Sequence, residues 1–361
     1  MREENEVRDD LKTDVIGIAN FNLETHLKEY RKILADNLGG CLNSRTMTYL
    51  SPNSSTSISY GTLKLHKPEK GLRPICTGYN AICANSQKYL KKFIDPLMVE
   101  CTYLVDSPKQ FKERLLADIP NFNPDIHTIV SFDAVSLYTN VNTNRVVSNV
   151  LDSIYKSPDL YFREKDDEGQ LLPYPSRSNF RIFIQNVLKN FNIFENNFGF
   201  YRQKSGLAMG SSISGSLSNL FINLMEKTII KKFIKEKTIV HYQRYADDVL
   251  CICLKDSVDK ILNKMNGWDH HLSFTVEKFE NNELKFLDAK IFIENGQINF
   301  RKFFRKAEKT VFTNLKLSIT PYKYKVKNIY TQIHRTRDCC SDEEQFRFAL
   351  DDVRLIFANS Y

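Results

Sequence analysis

The residues with the clearest chemistry are two adjacent aspartates, Asp247 and Asp248. They follow Tyr245-Ala246 and precede the apolar run 249–254. Aspartate is depleted in strands, so the pair predicts a tight turn between two buried arms of a hairpin. Adjacent carboxylates repel and raise each other's pKa unless a cation neutralises them. Mg²⁺ suits this role, because it usually binds one or two carboxylates together with substrate phosphates. A solvated hairpin turn is the alternative that these residues alone leave open.

A third carboxylate lies more than a hundred residues earlier. The stretch 129–132 predicts a buried strand, and Asp133 closes it. A carboxylate there costs free energy unless it has a partner, which a metal shared with Asp247 and Asp248 would supply. Tyr138 follows and could form the floor of a nucleotide-sugar pocket. A helix-capping Asp followed by a core Tyr is the other interpretation.

Two further segments carry groups suited to phosphates. The stretch 60–76 predicts a hairpin with a Pro-Glu-Lys-Gly turn, on which Lys64 offers a point charge and Arg73 a planar fork for a triphosphate. The Gly- and Ser-rich loop 203–216 runs into a helix, so its backbone amides could approach a substrate closely. It has neither the Walker lysine nor the Rossmann spacing. An exposed charged hairpin and a flexible loop are the alternatives.

These residues need helices and strands to position them, and the hydrophobic patterns predict both. We expect helices near residues 21–38, 85–100, 109–116, 143–165, 178–192, 217–225, 258–265 and 343–357. We expect β-structure near residues 126–132, 191–201, 272–277, 285–293 and 298–304, and a loop at 43–59.

Composition indicates a globular protein of two or three subdomains, with 361 residues, 42% hydrophobic and 26% charged. The net charge of +8 permits a nucleic-acid partner, and the span 301–337 carries eleven Lys or Arg residues against one acid. The cysteines lack paired C-x-x-C spacing, and no apolar run suggests a membrane span or a signal peptide. We therefore expect an intracellular protein, nuclear or cytoplasmic, with no membrane partner.

The order of these segments resembles the fingers and palm of a reverse transcriptase. Their sequence motifs resemble those of Penelope-like retroelement reverse transcriptases. The shared blocks are Tyr-Gly-x-x-Lys-x-His-Lys-Pro at 60–68, Leu-Arg-Pro-Ile at 72–75, Asp-x-x-Ser-Leu-Tyr-Thr-Asn at 133–140, Gly-x-Ala-Met-Gly-Ser at 206–211, Arg-Tyr-x-Asp-Asp at 244–248 and Phe-Leu-Asp at 286–288. A His-Arg-x-x-x-Cys-Ser block resembles 334–341 with one residue inserted. Ser212 and Gly215 stand where the family usually has Pro. Since the sequence ends at Tyr361, we expect a polymerase core without the family's GIY-YIG endonuclease.

The resemblance implies an α+β fold with right-hand polymerase architecture: a palm with an antiparallel sheet, fingers and a small thumb. It divides the chain into an N-terminal helical extension at 1–42, fingers at 43–125, the palm at 126–300 and a thumb-like basic region at 301–361.

The resemblance also implies the site residues. Catalysis falls to Asp133, Asp247 and Asp248, which with the Ala134 carbonyl would hold two Mg²⁺ ions, Mn²⁺ being a possible substitute. The implied nucleotide-binding residues are Lys64, Arg73, Tyr138, Met209 and Gly210, with Tyr138 as a steric gate against a 2′-hydroxyl. The implied nucleic-acid-binding residues are Arg301, Lys302, Arg305, Lys306, Lys323 and Lys325.

The implied activity is that of a retrotransposon RNA-directed DNA polymerase, a nucleotidyltransferase whose partners are an RNA template, a DNA primer and dNTPs. Two alternatives stay open. One is a related right-hand polymerase, such as a group II intron maturase or a telomerase-like subunit. The other is a catalytically inactive, retroelement-derived RNA-binding protein.

Overall fold

The structure, a computed structural model, describes residues 15–63, 72–304 and 319–358, with the backbone alone at residues 63 and 72–74. The chain forms two compact units. Unit 1 comprises Met1–Thr102 and Ser136–Leu224, and unit 2 comprises Tyr103–Val135 and Met225–Tyr361. The division into extension, fingers, palm and thumb stays a prediction.

The strands of the described residues are β1 Val15–Gly17, β2 Ser57–Leu63, β3 Leu72–Thr77, β4 His127–Ala134, β5 Ile193–Asn196, β6 Gly199–Gln203, β7 Ile239–Tyr245, β8 Asp248–Leu254, β9 Phe274–Lys278, β10 Glu283–Phe286, β11 Ala289–Glu294 and β12 Gln297–Lys302.

The α-helices are α1 Leu23–Leu38, α2 Ser44–Tyr49, α3 Ala84–Ile94, α4 Pro108–Asp118, α5 Leu137–Asn140, α6 Thr143–Lys156, α7 Arg177–Gln185, α8 Ser214–Met225, α9 Lys231–Lys235, α10 Val258–Asn266, α11 Tyr322–Asp338 and α12 Glu343–Ala358. Short 3₁₀ helices span Asp95–Glu100, Ile119–Asn121, Pro158–Leu160 and Lys255–Ser257, and π-helical turns span Asn186–Asn190 and Glu226–Ile230.

Unit 1 contains a five-stranded sheet in the order β1-β6-β5-β2-β3. Its neighbours are antiparallel except for β2 and β5, which are parallel. Helix α7 packs against α1 and α6. The predicted first helix is confirmed: Asn22 caps it by accepting a bond from the Thr25 N–H at 2.9 Å, and Gly39 follows its last residue.

Unit 2 contains a four-stranded antiparallel sheet in the order β7-β8-β4-β9 and a three-stranded antiparallel sheet of β10, β11 and β12. Alternation along β4 and β8 places Ile129, Leu250 and Ile252 on one face of the larger sheet. These side chains pack in one core with Phe286 of the smaller sheet and Phe111 of α4. The two sheets therefore share a hydrophobic core.

Three expectations about secondary structure are corrected. The predicted loop at 43–59 contains α2, because the Asn43 side chain caps it by accepting from the Thr46 N–H at 2.7 Å. The helix predicted over 143–165 ends at Lys156, since Pro158 cannot continue it. The β-rich stretch 285–293 is divided by a turn in which Leu287 has a φ of 51°.

The structure describes all eight cysteines; none of them forms a disulfide, and seven are buried. Across the described residues, no helix combines the length and the apolar character needed to cross a membrane.

Candidate active site

The hairpin that carries the adjacent aspartates is formed by β7 and β8, and its turn is Ala246-Asp247. Tyr245 and Asp248 are paired at the two strand ends, so the predicted Asp-Asp hairpin turn is confirmed. Ala246 has a φ of 52°, a left-handed conformation that costs a residue other than glycine about 1–2 kcal/mol. Asp247 is exposed and Asp248 is half-buried. The turn therefore holds the two carboxylates in different surroundings.

Asp133 lies directly opposite Asp248, because β4 and β8 are antiparallel neighbours in that register. Opposed residues of an antiparallel pair share one sheet face, with Cβ atoms about 4.5–5.5 Å apart. The backbone N–H of Ala134 donates to the carbonyl of Asp247 at 3.1 Å. The fold thus places all three predicted catalytic residues at one end of the four-stranded sheet.

The carboxylates of Asp133 and Asp248 have the chemistry that a magnesium ion requires. Like charges directly opposite each other destabilise a sheet, and a cation relieves this repulsion. Within residues 15–63, 72–304 and 319–358, no group of three or more His, Cys, Asp or Glu side chains is arranged to hold a metal ion. Mg²⁺ usually completes its shell with water and substrate phosphates. Asp133 and Asp248 could supply two oxygen ligands of such an ion, and the metal site shared by all three aspartates stays a prediction.

Sequence reasoning missed two buried charged residues of unit 2, Arg244 and Glu226, as partners. Nε of Arg244 donates to Oε1 of Glu226 at 2.7 Å, and neither side chain is exposed. The available signal was a lone acidic residue in the mainly apolar stretch 217–230 and a lone arginine in β7. Opposite charges in apolar elements need each other, because an unpaired buried charge is costly.

In unit 1, the Gly- and Ser-rich loop contacts the segment of Tyr138. The N–H of Leu207 donates to the carbonyl of Tyr138 at 2.7 Å. Gly206 has a φ of 70°, and a Cβ there would lie 2.3 Å from the same oxygen, so only glycine fits. Tyr138 is half-buried in α5. Gly215 lies in the first turn of α8.

The same loop also contacts β3, through Met209 and Gly210. The N–H of Cys76 donates to the carbonyl of Met209 at 2.8 Å. Gly210 follows with a φ of 111°, and a Cβ there would lie 2.0 Å from the Cys76 carbonyl oxygen. Unit 1 therefore brings the segments of Tyr138, Met209 and Gly210 together beside the strand that contains Arg73.

Some predicted site residues cannot be located. Lys64, Arg305 and Lys306 lie outside the described residues, and the Arg73 side chain does as well. Of the remaining basic residues, Lys323 is exposed on α11 and Lys325 is half-buried there.

A row of three basic side chains crosses the three-stranded sheet of unit 2. Lys285 pairs with Lys290, which pairs with Arg301, so all three lie on the sheet face opposite the core. Glu283 accepts a hydrogen bond from Lys290, which outweighs burial and lowers the pKa of Glu283. The row borders a groove of about 270 Å³ that also touches Phe303. Sequence reasoning found Arg301 but missed both lysines, whose alignment only the strand register reveals.

Lys302 also forms an ion pair, but unlike the pairs of Lys285 and Lys290 with Glu283 it is buried. Its side chain is fully buried, with Nζ 3.0 Å from Oδ2 of Asp288. Nη2 of Arg335 on α11 also donates to Asp288 at 2.5 Å. Burial alone would raise the pKa of Asp288, but Lys302 and Arg335 together lower it. The structure therefore gives Lys302 a local contact with Asp288 of the Phe-Leu-Asp block.

Asp133 and Asp248 are thus opposed at one end of an antiparallel sheet within an α+β fold. Residues 65–312 match the family of reverse transcriptases (RNA-dependent DNA polymerases). Because this match covers more than half of the 361 residues, the chain belongs to that family. No curated protein matches the chain.

Solved telomerase structures from Candida tropicalis share the fold. The apo enzyme matches with a TM-score of 0.56 and 14% identity, over 98% of this chain and 60% of that chain. Its form truncated from the C-terminal domain matches with a TM-score of 0.51 and 15% identity, over 80% and 63%. The complex with a TWJ fragment of telomeric RNA matches with a TM-score of 0.55 and 13% identity, over 98% and 56%. These matches confirm the predicted α+β, right-hand polymerase fold.

At these identities the likeness concerns the fold alone. The chain spans less than two thirds of the length of each of these telomerase chains.

Proposed function

We propose that this chain is an RNA-directed DNA polymerase that extends a DNA 3′-hydroxyl on an RNA template. The observation that carries the proposal is the register of β4 and β8, which sets Asp133 opposite Asp248 beside the Asp247 turn. Membership of the reverse transcriptase family supports the choice of RNA as template and DNA as product. The telomerase bound to an RNA fragment supports an RNA partner for this fold.

The proposed metal ligands are Asp133, Asp247 and Asp248, with the Ala134 carbonyl as a further oxygen donor. Two Mg²⁺ ions, or Mn²⁺ in their place, would supply charge neutralisation for the phosphates and a lowered pKa for the primer hydroxyl. The chain's own part is to hold acidic oxygens on a rigid sheet end. Fixed carboxylates lower the reorganisation that nucleotidyl transfer requires.

The proposed nucleotide contacts come from unit 1. Tyr138 would exclude a 2′-hydroxyl, while Met209 and Gly210 would line the nascent base pair. The backbone contacts at Leu207 and Cys76 support this assignment, because they fix the loop that carries Met209 and Gly210. Lys64 and Arg73 keep their proposed role as phosphate-binding residues on the basis of the sequence blocks.

The proposed nucleic-acid contacts come from the basic groups of unit 2. The row of Lys285, Lys290 and Arg301 supports binding of a phosphate backbone, since aligned cations release counterions when they meet phosphates. Lys323 on α11 is exposed and would add a contact. Arg305, Lys306 and Lys325 stay part of the proposal, whereas the buried ion pair of Lys302 favours a structural role.

The sequence blocks support assignment to Penelope-like retroelement reverse transcriptases, acting inside the cell in the nucleus or cytoplasm. This finer assignment is based on the sequence motifs Asp-x-x-Ser-Leu-Tyr-Thr-Asn and Arg-Tyr-x-Asp-Asp.

Primer extension on poly(rA)/oligo(dT) with dTTP and Mg²⁺ tests the proposal. The wild-type chain should extend the primer, and Asp247→Asn should abolish extension while leaving template binding intact. Asp256→Asn is the matched control, because Asp256 is exposed just beyond the other end of β8. Full activity of Asp247→Asn would refute the site assignment. A wild-type chain that binds RNA without extending any primer would favour the inactive RNA-binding alternative.

A further inference from the structure

The turn that presents Asp247 and Asp248 is held by a buried arginine. Nε of Arg244 donates to Oε1 of Glu226 at 2.7 Å, and Nη2 donates to Oε2 at 3.3 Å. Nη1 donates to the carbonyl oxygen of Ala246 at 2.9 Å. Both side chains of the Arg244–Glu226 pair are 0% exposed. The buried guanidinium thus links the half-buried Ala246 of the turn to Glu226.

Both members of the pair are themselves fixed. A π-helical turn after α8 places Glu226, and the hydroxyl of Tyr242 donates to its Oε1 at 3.2 Å. Burial, and then the charge of Glu226, raise the pKa of Tyr242, so its hydroxyl stays a donor. The backbone N–H of Arg244 donates to Tyr103 at 2.9 Å, and its carbonyl accepts from Val105 at 2.8 Å. Both the backbone and the guanidinium of Arg244 are therefore fixed by hydrogen bonds where the side chain contacts Ala246.

Stability alone does not account for this pair. Burying two charges removes their hydration, and apolar residues of similar volume often give the same stability. What apolar residues lack is the third donor, which holds the Ala246 carbonyl. Ala246 has a φ of 52°, a conformation that alanine resists and glycine accepts. The guanidinium bond opposes the tendency of this residue to leave the left-handed conformation.

We propose that Arg244, oriented by Glu226, is a positioning residue that keeps the Ala246 turn in the conformation in which Asp247 and Asp248 bind divalent cations. This inference rests on the proposed polymerase function for its kinetic consequence. Its structural content, that the pair sets the turn and thereby cation binding, can be measured without any polymerase activity.

The informative variant replaces both charges at once. Arg244→Met/Glu226→Leu removes the pair without leaving an unpaired buried charge, so the chain should keep cooperative unfolding. The melting temperature should fall only by the cost of leaving the Tyr242 hydroxyl without its acceptor. Arg244→Lys is a second variant, because one ammonium group cannot hold Glu226 and the Ala246 carbonyl as a planar guanidinium does. Adding Ala246→Gly to either variant removes the backbone strain and serves as the rescue.

Three readouts are compared in the full chain: kcat and KM in primer extension, Mn²⁺ binding followed by electron paramagnetic resonance, and hydrogen exchange of the turn amides. Losing the bond to Ala246 should lower kcat by about 100-fold, with an unchanged KM for primer-template. Mn²⁺ binding should weaken and the turn amides should exchange faster. The Ala246→Gly rescue should restore about tenfold of kcat and part of the Mn²⁺ affinity, which a purely structural role of the pair does not predict.

Two results would overturn the inference. One is wild-type Mn²⁺ affinity and wild-type turn exchange in both Arg244→Met/Glu226→Leu and Arg244→Lys. The other is weakened Mn²⁺ binding that Ala246→Gly leaves entirely unrestored. A wild-type chain that is inactive in extension would refute the proposed function, while the Mn²⁺ and exchange measurements would still decide the role of the pair.

Discussion

Gly210→Ala should destabilise the chain far more than the same change at a glycine in open space. Gly210 has a φ of 111°, and its new Cβ would lie 2.0 Å from the carbonyl oxygen of Cys76. The backbone strain at residue 210 should cost about 1–2 kcal/mol. Moving β3 and the loop apart to relieve the clash should cost about 1–3 kcal/mol more. Weakening the bond between the Cys76 N–H and the Met209 carbonyl adds about 1 kcal/mol. The expected total is about 3–6 kcal/mol.

Gly169→Ala is the matched control. Gly169 has a φ of 84°, but a Cβ there would meet nothing within 4 Å. Its cost should be the strain alone, about 1–2 kcal/mol. Urea unfolding of both variants and the wild type measures the two free-energy differences. Equal losses at Gly169 and Gly210 would refute the close packing of the loop against β3.

Three further predictions concern separate parts of the molecule. Tyr138→Ala should raise ribonucleotide incorporation about tenfold. Tyr138→Phe is the control, because it keeps the ring and should keep the discrimination against ribonucleotides. Unchanged discrimination in Tyr138→Ala would refute the assignment of Tyr138 as the steric gate. Lys290→Gln and Arg301→Gln should each reduce the salt dependence of RNA–DNA hybrid binding, measured by fluorescence anisotropy, by a slope of about 1. The exposed Lys28→Gln serves as control, and equal slopes in all variants would count against the basic row. The pKa of Asp288 is lower in the folded chain than its ordinary value of 3.8. The ionised Asp288 carboxylate therefore stabilises the fold fully above pH 3.8, and this stabilisation is lost as the pH falls through the lowered pKa. Between about pH 5 and about pH 2, wild-type stability to urea should therefore fall more than that of Asp288→Asn, and parallel curves would contradict the ion pairs with Lys302 and Arg335.

The parts of the site that depend on local sequence could be predicted. Adjacent aspartates between buried β-residues can form little other than a tight turn, and the hairpin of β7 and β8 confirms this. The strand closed by Asp133 followed from a short apolar run, and β4 confirms it. The close approach of the Gly- and Ser-rich loop to a substrate stays a prediction, and what the structure shows is that Gly206 and Gly210 lie against the backbone of Tyr138 and Cys76.

The parts that depend on distant pairing could not be predicted. The row of Lys285, Lys290 and Arg301 requires the register of three strands, and the register requires the turn at Leu287, which has no glycine or asparagine to mark it. Lys302 is one of many basic residues in its segment of the sequence. Only the fold shows that its side chain lies on the buried face of β12, where it pairs with Asp288.

The same limit applies to Glu226 and Arg244, which are 18 residues apart in the chain. Glu226 is the only acid in its π-helical turn and Arg244 is the only Arg or Lys in β7, and nothing in the local sequence says which opposite charge will meet either of them.

The most direct test of the central claim is extension of a DNA primer on a heteropolymeric RNA template, with wild type, Asp133→Asn and Asp125→Asn compared under single-turnover conditions. Asp133 lies opposite Asp248 at one end of β4, whereas Asp125 is exposed just before the other end. The wild type and Asp125→Asn should synthesise complementary DNA, and Asp133→Asn should not. Complementary DNA made by Asp133→Asn at the wild-type rate would contradict the account.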